Sequence, residues 1–280
     1  MRGRPFKPCM PQGKMVYSTP NLLIGGRSVI TDSFDNRSAA IINPGAAANR
    51  FCCDACIVTF SNRIRDHALQ RFPCKQVAEL QNATGPIAIY ALPYRGKTFA
   101  LYLTYLGASA AAGNLEEAAM QLDTKKFVVF GGAGCLNKEI AHGKVMVPDR
   151  AYRDEGTSYH YAPAADYIRV KNAPLVARFM EENGIPHVLG GTWTTDAFFR
   201  ETRDNMQKRK SEGCISVEME CAALQAVCDF RGYELYYFLT SGDLLDAPKW
   251  DERRKEGQLE GTQHDRGHLD IALELAFALS

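Results

Sequence analysis

The sequence predicts an α/β fold, a mixed sheet flanked by helices, and three observations carry that prediction. Beyond residue 54, short apolar runs of strand type alternate with amphipathic stretches of helical period. Glycines such as Gly184 and Gly232 stand just past the ends of the helical stretches, where chains stop. The chain has 280 residues, 46% hydrophobic and 23% charged, which is globular composition with length enough for a sizeable core.

Residues 1–50 read as an N-terminal arm with little regular structure. Pro5, Pro8, Pro11 and Pro20 interrupt any element, and Gly25-Gly26 and Asn43-Pro44-Gly45 mark turns. Such an arm is suited to lying on a partner subunit. Residues 51–280 read as a single domain. Its expected strands are Ile57–Phe60, Ile87–Leu92, Thr98–Thr104, Phe127–Gly131, Lys144–Tyr152, His187–Gly190 and Leu235–Thr240. The expected helices begin with Ser109–Leu122, with Ser109 as its N-cap, and Asn172–Asn183, with Pro174 in its first turn. Phe198–Lys210, Met219–Phe230 and Leu269–Leu279 follow, the last two with apolar stripes at helical spacing. The charged run Lys249–Glu260 reads as a solvated loop or helix start, with closure over a site as the alternative.

A net charge of +1 provides no field for nucleic acid or an anionic membrane, so a small, locally recognised partner is expected. No stretch approaches the length of a membrane span. The first twenty residues are basic and Pro-rich and lack the apolar segment of a signal peptide. Nine cysteines, an odd number, then suggest reduced thiols and a cytoplasmic setting. Cys53-Asp54-Ala55-Cys56 has C-x-x-C spacing, and His67 and Cys74 would complete a four-ligand set. Cys56 opens an apolar strand, however, and cysteines packed as small hydrophobes are the better reading, so no metal is expected.

Four segments bear chemistry. Phe130-Gly131-Gly132-Ala133-Gly134 follows a strand and reads as a loop whose backbone can approach a ligand, or as a tight turn. Val217-Glu218-Met219-Glu220 lies where a strand hands over to a helix. Two carboxylates there suit the helix dipole, and they also suit the adjacent hydroxyls of a ribose, with Met219 as an apolar surface for the sugar. Thr240-Ser241-Gly242-Asp243 ends a strand, the place where ligands gather in open α/β sheets; Asp243 is there a candidate general acid or a plain loop aspartate. The segment from Arg150 to Tyr161 is dense in polar and aromatic groups, and His160 reads better as a structural or interface histidine than as a catalytic one.

Taken in order, these pieces resemble the nucleoside phosphorylase family, which includes uridine phosphorylase, purine nucleoside phosphorylase and related nucleosidases. The resemblance runs from about Ala55 to Leu279. Its most specific parts are Val217-Glu218-Met219-Glu220 with Ala222-Ala223, and Gly143–Pro148 continuing to Arg153-Asp154-Glu155-Gly156-Thr157-Ser158. It implies a three-layer α/β/α sandwich with a twisted, mixed central sheet, and sites completed at a subunit interface in a homodimer or a trimer of dimers. It implies cleavage of the N-glycosidic bond of a nucleoside by phosphate, giving free base and ribose 1-phosphate, with phosphate as co-substrate and no cofactor. By position it assigns Glu218, Met219 and Glu220 to the ribose, Phe198, Thr202 and Arg203 to the base, and Arg63, Gly131 and Gly132 to phosphate. Asp243 and Arg63 are the catalytic candidates.

The departures from the family pattern concern phosphate and base. Val129 and Gly132 stand where an arginine and a hydroxyl residue would bind phosphate, and Phe60-Ser61 replaces a glycine-rich loop. Thr202 and Asp204 stand where uridine phosphorylases carry a glutamine and an arginine, with Arg200 and Arg203 as neighbours. No histidine precedes His67 to reach a neighbour's ribose. Three readings follow: a phosphorylase nearest the uridine-type members by its Arg153–His160 segment, a nucleosidase using water, and a catalytically silent nucleoside-binding protein.

Overall fold

The computed structural model describes residues 29–251 and 261–280, without the side chains of residues 261–266. The first 28 residues of the expected arm, and 252–260 of the charged run, lie outside the described residues. Residues 29–50 form one 3-10 turn, Ile30–Asp32, and otherwise no regular element. Arg50 fastens this segment to the body by donating from Nη2 to the Ala119 carbonyl at 2.9 Å.

Among the described residues the strands are β1 Phe51–Cys52, β2 Cys56–Thr59, β3 Lys75–Leu80, β4 Ile87–Tyr94, β5 Lys97–Leu103, β6 Leu122–Asp123, β7 Lys126–Cys135, β8 Val145–Asp154, β9 Tyr167–Arg169, β10 His187–Thr195, β11 Cys214–Glu218 and β12 Glu234–Leu244. The helices are α1 Asn62–Arg71, α2 Ala108–Gln121, α3 Lys138–Ala141, α4 Ala173–Glu182, α5 Arg203–Ser211, α6 Cys221–Arg231 and α7 Gly261–Ala278.

Ten strands make one mixed sheet in the order β11-β10-β8-β12-β7-β2-β5-β4-β3, with β9 on β8. Parallel pairings join β12, β7, β2 and β5, while β3, β4 and β5 run antiparallel. The path also closes on itself. β11 pairs with β10 on one side and meets β7 on the other at Ser216↔Cys135 and Val217↔Gly134. Strands β7, β12, β8, β10 and β11 therefore form a small ring from which β2 to β3 extend as an open wing. Helices α1 and α7 pack together over β2, β5 and β7, while α2 and α6 form another pair, α6 lying with α4 on β8, β10 and β12. This is the expected α/β architecture, a mixed sheet with helices on its faces. Phe127, Val128, Val129 and Phe130 in mid-sheet are all buried, as expected of a strand covered on both faces.

Several expected elements change shape. Gly131-Gly132-Ala133-Gly134 is neither loop nor turn: it continues β7 to Cys135. The reason is ring closure. A Cβ on Gly134 would stand 2.6 Å from Leu245 Cδ1 and 2.8 Å from Val217 Cγ1, so only glycine lets the strands meet. The expected helix Phe198–Lys210 divides into a 3-10 turn, Phe198–Arg200, and α5, with Thr202 extended between them. Gly107, at φ 99°, rather than Ser109, precedes α2 as its N-cap. Strand β3 and helix α1 have no counterpart among the expected elements.

Candidate active site

The site grows from the handover of β11 to α6. Glu218 ends β11 and is buried at 6% exposure. Its carboxylate accepts four donors: the Thr194 hydroxyl on neighbouring β10, the Tyr237 hydroxyl at 3.0 Å, and the N–H groups of Glu220 and Cys221 at 2.8 and 2.7 Å. Two of these are backbone donors at the N-terminus of α6, so Glu218 caps the helix from the strand before it. Burial pushes its pKa up, against the pull of those donors. Its oxygens are engaged by the protein's own donors, and Glu218 holds the turn that presents Met219 and Glu220.

Met219 is half-buried between two buried glutamates. Glu220 is buried, and its Oε1 accepts the Gly107 N–H at 2.6 Å. Burial first, and then the charge of Glu218, push its pKa up to about 8, with Asp196 adding a smaller push in the same direction. Asp196 stands just past the end of β10 and accepts the Gly156 N–H at 3.2 Å. It also raises buried Glu155, whose Oε1 has no hydrogen-bond partner. The parallel register Thr194↔Glu218 and Thr195↔Asp154 brings the ends of β8, β10 and β11 to one rim.

Asp243, near the end of β12, reaches this rim through ring closure. Gly134 is the meeting point, since a Cβ there would lie 3.3 Å from Asp243 Oδ1 and nearer still to Val217. Asp243 Oδ2 accepts the indole N–H of Trp250 at 2.6 Å. Close by is Glu201, which sequence reasoning does not single out. Burial and the Asp243 charge push its pKa up to about 7. Phe198 is 44% exposed and meets Phe199 edge-on at 4.9 Å, presenting aromatic surface. Thr202 is half-buried, and its side chain does not cap α5. Arg203, the other expected base contact, donates from Nη2 to the carbonyls of Ala247 and Pro248 at 3.4 and 3.2 Å. Arg203 thus fastens the start of α5 to the segment after β12.

The predicted phosphate ligands are more dispersed. Arg63 is exposed in the first turn of α1, directly after β2, and Ser61 caps that helix by accepting the Ile64 N–H. Gly131 and Gly132 lie on β7 opposite Leu239 and Thr240, beyond the last β2 pairing at Phe130. The Phe60 ring lies against Gly131, where a Cβ would be 2.9 Å from Phe60 Cδ2. Arg153 is buried and structural: it donates to Ser158 Oγ and to the carbonyls of Ala162, Pro163 and Ala165, and covers the Tyr159 ring at 4.0 Å. A cavity of about 430 Å3 is lined by Ile30, Ser109, Gly156, Thr157 and His160 among others, and none of the predicted contact residues lines it. Cys53 and Cys56 are buried thiols whose pKa burial pushes up.

The arrangement offers a buried, partly protonated carboxyl beside a half-buried methionine at one end. Further along, the Phe198–Arg200 turn offers exposed aromatic surface and is followed directly by Glu201, whose pKa burial and the Asp243 charge raise. The chain is 26% identical over 211 residues to a DeoD-type purine nucleoside phosphorylase of Limosilactobacillus reuteri, covering 73% of this chain and 84% of the relative. It is 25% identical over 203 residues to another from an Exiguobacterium species, covering 70% and 84%. Among solved structures, purine nucleoside phosphorylase from Toxoplasma gondii in complex with immucillin-H superposes with a TM-score of 0.65 at 16% identity, over 80% of this chain and 90% of that one. Uridine phosphorylase from Vibrio fischeri superposes with a TM-score of 0.62 at 22% identity, over 81% and 89%. The model of the phosphorylase superfamily matches residues 37–266, and the chain belongs to that family.

Proposed function

We propose that this protein is a nucleoside phosphorylase that cleaves the N-glycosidic bond with inorganic phosphate, with purine-type rather than uridine-type bases. The observation that carries the reading is the handover at Glu218, which fixes Met219 and Glu220 at the rim shared by β8, β10 and β11. Met219 and Glu220 take the ribose, and Phe198 stacks on the base. Arg63 and the backbone of Gly131 and Gly132 approach the phosphate. The transition state carries positive charge at C1′, which the approaching phosphate favours.

The base preference departs from the uridine-type expectation. Thr202 and Asp204 replace the expected glutamine and arginine, and Arg203 is engaged elsewhere. Glu201 and Asp243 instead suit a base that presents N–H donors and needs a proton to leave. The DeoD-type relatives named above support the same preference. A homo-oligomer completes the site in this reading, and the exposed Ile41 and Ile42 of the arm suit burial on a second subunit. The experiment is turnover on a panel of purine and pyrimidine nucleosides with phosphate present. Purine cleavage that E220A abolishes supports the reading; a panel cleaved only at uridine reverses the base preference.

A second reading, hydrolysis by water, is favoured by one observation. The Phe60 ring fills the place beside Gly131 where a dianion would be held. Omission of phosphate distinguishes the two.

A further inference from the structure

Residues 104–107 join β5 to α2, and the segment is held at both ends. At its far end the Gly107 N–H donates to Glu220 Oε1 at 2.6 Å, and the Gly107 carbonyl accepts the Ala111 N–H at 3.0 Å. At its near end the Thr104 N–H donates to the Thr59 carbonyl at 2.9 Å, in line with the pairing of β5 and β2. Between the two ends, Tyr105 and Leu106 are 39% and 68% exposed, so the middle adds little burial.

Thr104 is buried, and Asn114 reaches its side chain from inside α2: Nδ2 donates to Thr104 Oγ1 at 3.0 Å. The same hydroxyl donates to the Tyr105 carbonyl at 3.5 Å. The other end of the amide, Asn114 Oδ1, accepts Asn82 Nδ2 at 3.2 Å, from the segment between β3 and β4. Asn114 is the odd residue of its surroundings. Its helix buries Ala108, Ala111, Ala112, Leu115, Ala118 and Ala119, and alanine is both the better helix former and free of polar groups to satisfy. A buried asparagine is costly unless its amide is bonded, and here each end of the amide finds a partner. Glu116, the other buried polar residue of α2, is bound to the Tyr161 and Arg231 side chains instead.

We propose that Asn114 is a positioning residue for the sugar end of the site: through Thr104 it sets the path of residues 104–107, and so sets where the Gly107 N–H holds the Glu220 carboxyl. This rests on the nucleoside-cleaving reading above, in which Glu220 takes the ribose hydroxyls. Asn114 itself touches no substrate. Gly107, at φ 99°, has no side chain to anchor it, so the direction of its N–H is set by the residues that lead into it and by α2. An acceptor held in one place binds a diol without first being ordered, whereas a loose one loses affinity to the cost of ordering.

The test compares N114A, T104V, the double variant, T104S and the unaltered protein on a nucleoside that the unaltered protein cleaves. N114A and T104V each remove one partner of the same bond. Each is expected to raise the KM for nucleoside about three- to tenfold, the size of one hydrogen bond, with the KM for phosphate unchanged. The double variant should be no worse than either alone, because both lose the same bond. T104S keeps the hydroxyl and should restore the parent KM. On a 2′,3′-dideoxynucleoside, which offers Glu220 no diol, the variants should equal the parent. In 1H–15N spectra the Gly107 amide should move in N114A and T104V and stay in place in T104S, independently of turnover. If N114A does not fold, T104V against T104S decides. A nucleoside KM in T104V equal to the parent's, or KM values for both substrates raised together, overturns the proposal while leaving nucleoside cleavage intact. Unaltered protein that cleaves no nucleoside overturns the underlying reading and this proposal with it.

Discussion

Glu220 Oε1 accepts the Gly107 N–H at 2.6 Å, tying the carboxyl just before α6 to the residue just before α2. The two helices pack on each other, so this bond closes one end of their interface at the rim of the site.

That carboxyl makes stability depend on pH. Folding raises its pKa from 4.5 to about 8, burial being the larger cause and the Glu218 charge the next. The native state therefore keeps a proton that the unfolded chain releases, and stability falls as pH rises across that window. The contribution is complete below the unfolded value and lost through the folded one. Thermal unfolding of the ligand-free protein should show Tm falling between about pH 5 and pH 9, and E220Q should flatten the fall.

Glu218 should matter more to folding than to chemistry. E218A leaves the Thr194 and Tyr237 hydroxyls and two helix N–H groups without their acceptor. A loss of about 2–4 kcal/mol is expected in urea unfolding. A change within experimental error would remove Glu218 from its role as the cap of α6.

The glycines of β7 should differ sharply. Gly134→Ala meets Leu245 and Val217 below 3.0 Å and should cost about 1–3 kcal/mol. Gly132→Ala meets nothing within 4 Å and should stay within about 0.5 kcal/mol of the parent. Parallel unfolding curves of the two variants check the ring closure, and equal costs would refute it.

Arg63 is the cation placed directly after β2, at the start of α1. If it meets phosphate, Arg63→Gln should raise the KM for phosphate about tenfold or more while leaving the KM for nucleoside near its parent value. Initial rates with each substrate varied in turn separate the two.

Much of this fold can be read from the chain because its strongest signals are local. The Met219–Phe230 stripe and the apolar run before it announce a strand feeding a helix, and β11 and α6 sit there. Helix α1 escapes notice because only Ile64 and Ala68 of its ten residues are buried, too few to make a stripe. Glycine bias makes Gly131–Gly134 look like a loop, whereas contacts to Val217 and Leu245, far along the chain, make it a strand. Glu201 is unreadable for the same reason. Its neighbours in sequence suggest a helix, and the burial and the Asp243 charge that raise its pKa arise only in the folded chain.

The most direct measurement of the central claim is product analysis of purified protein with a purine nucleoside, with and without phosphate, by 31P NMR and base release. The account predicts stoichiometric free base and ribose 1-phosphate, with cleavage that stops when phosphate is withheld. Equal base release without phosphate, with free ribose as the other product, would contradict it.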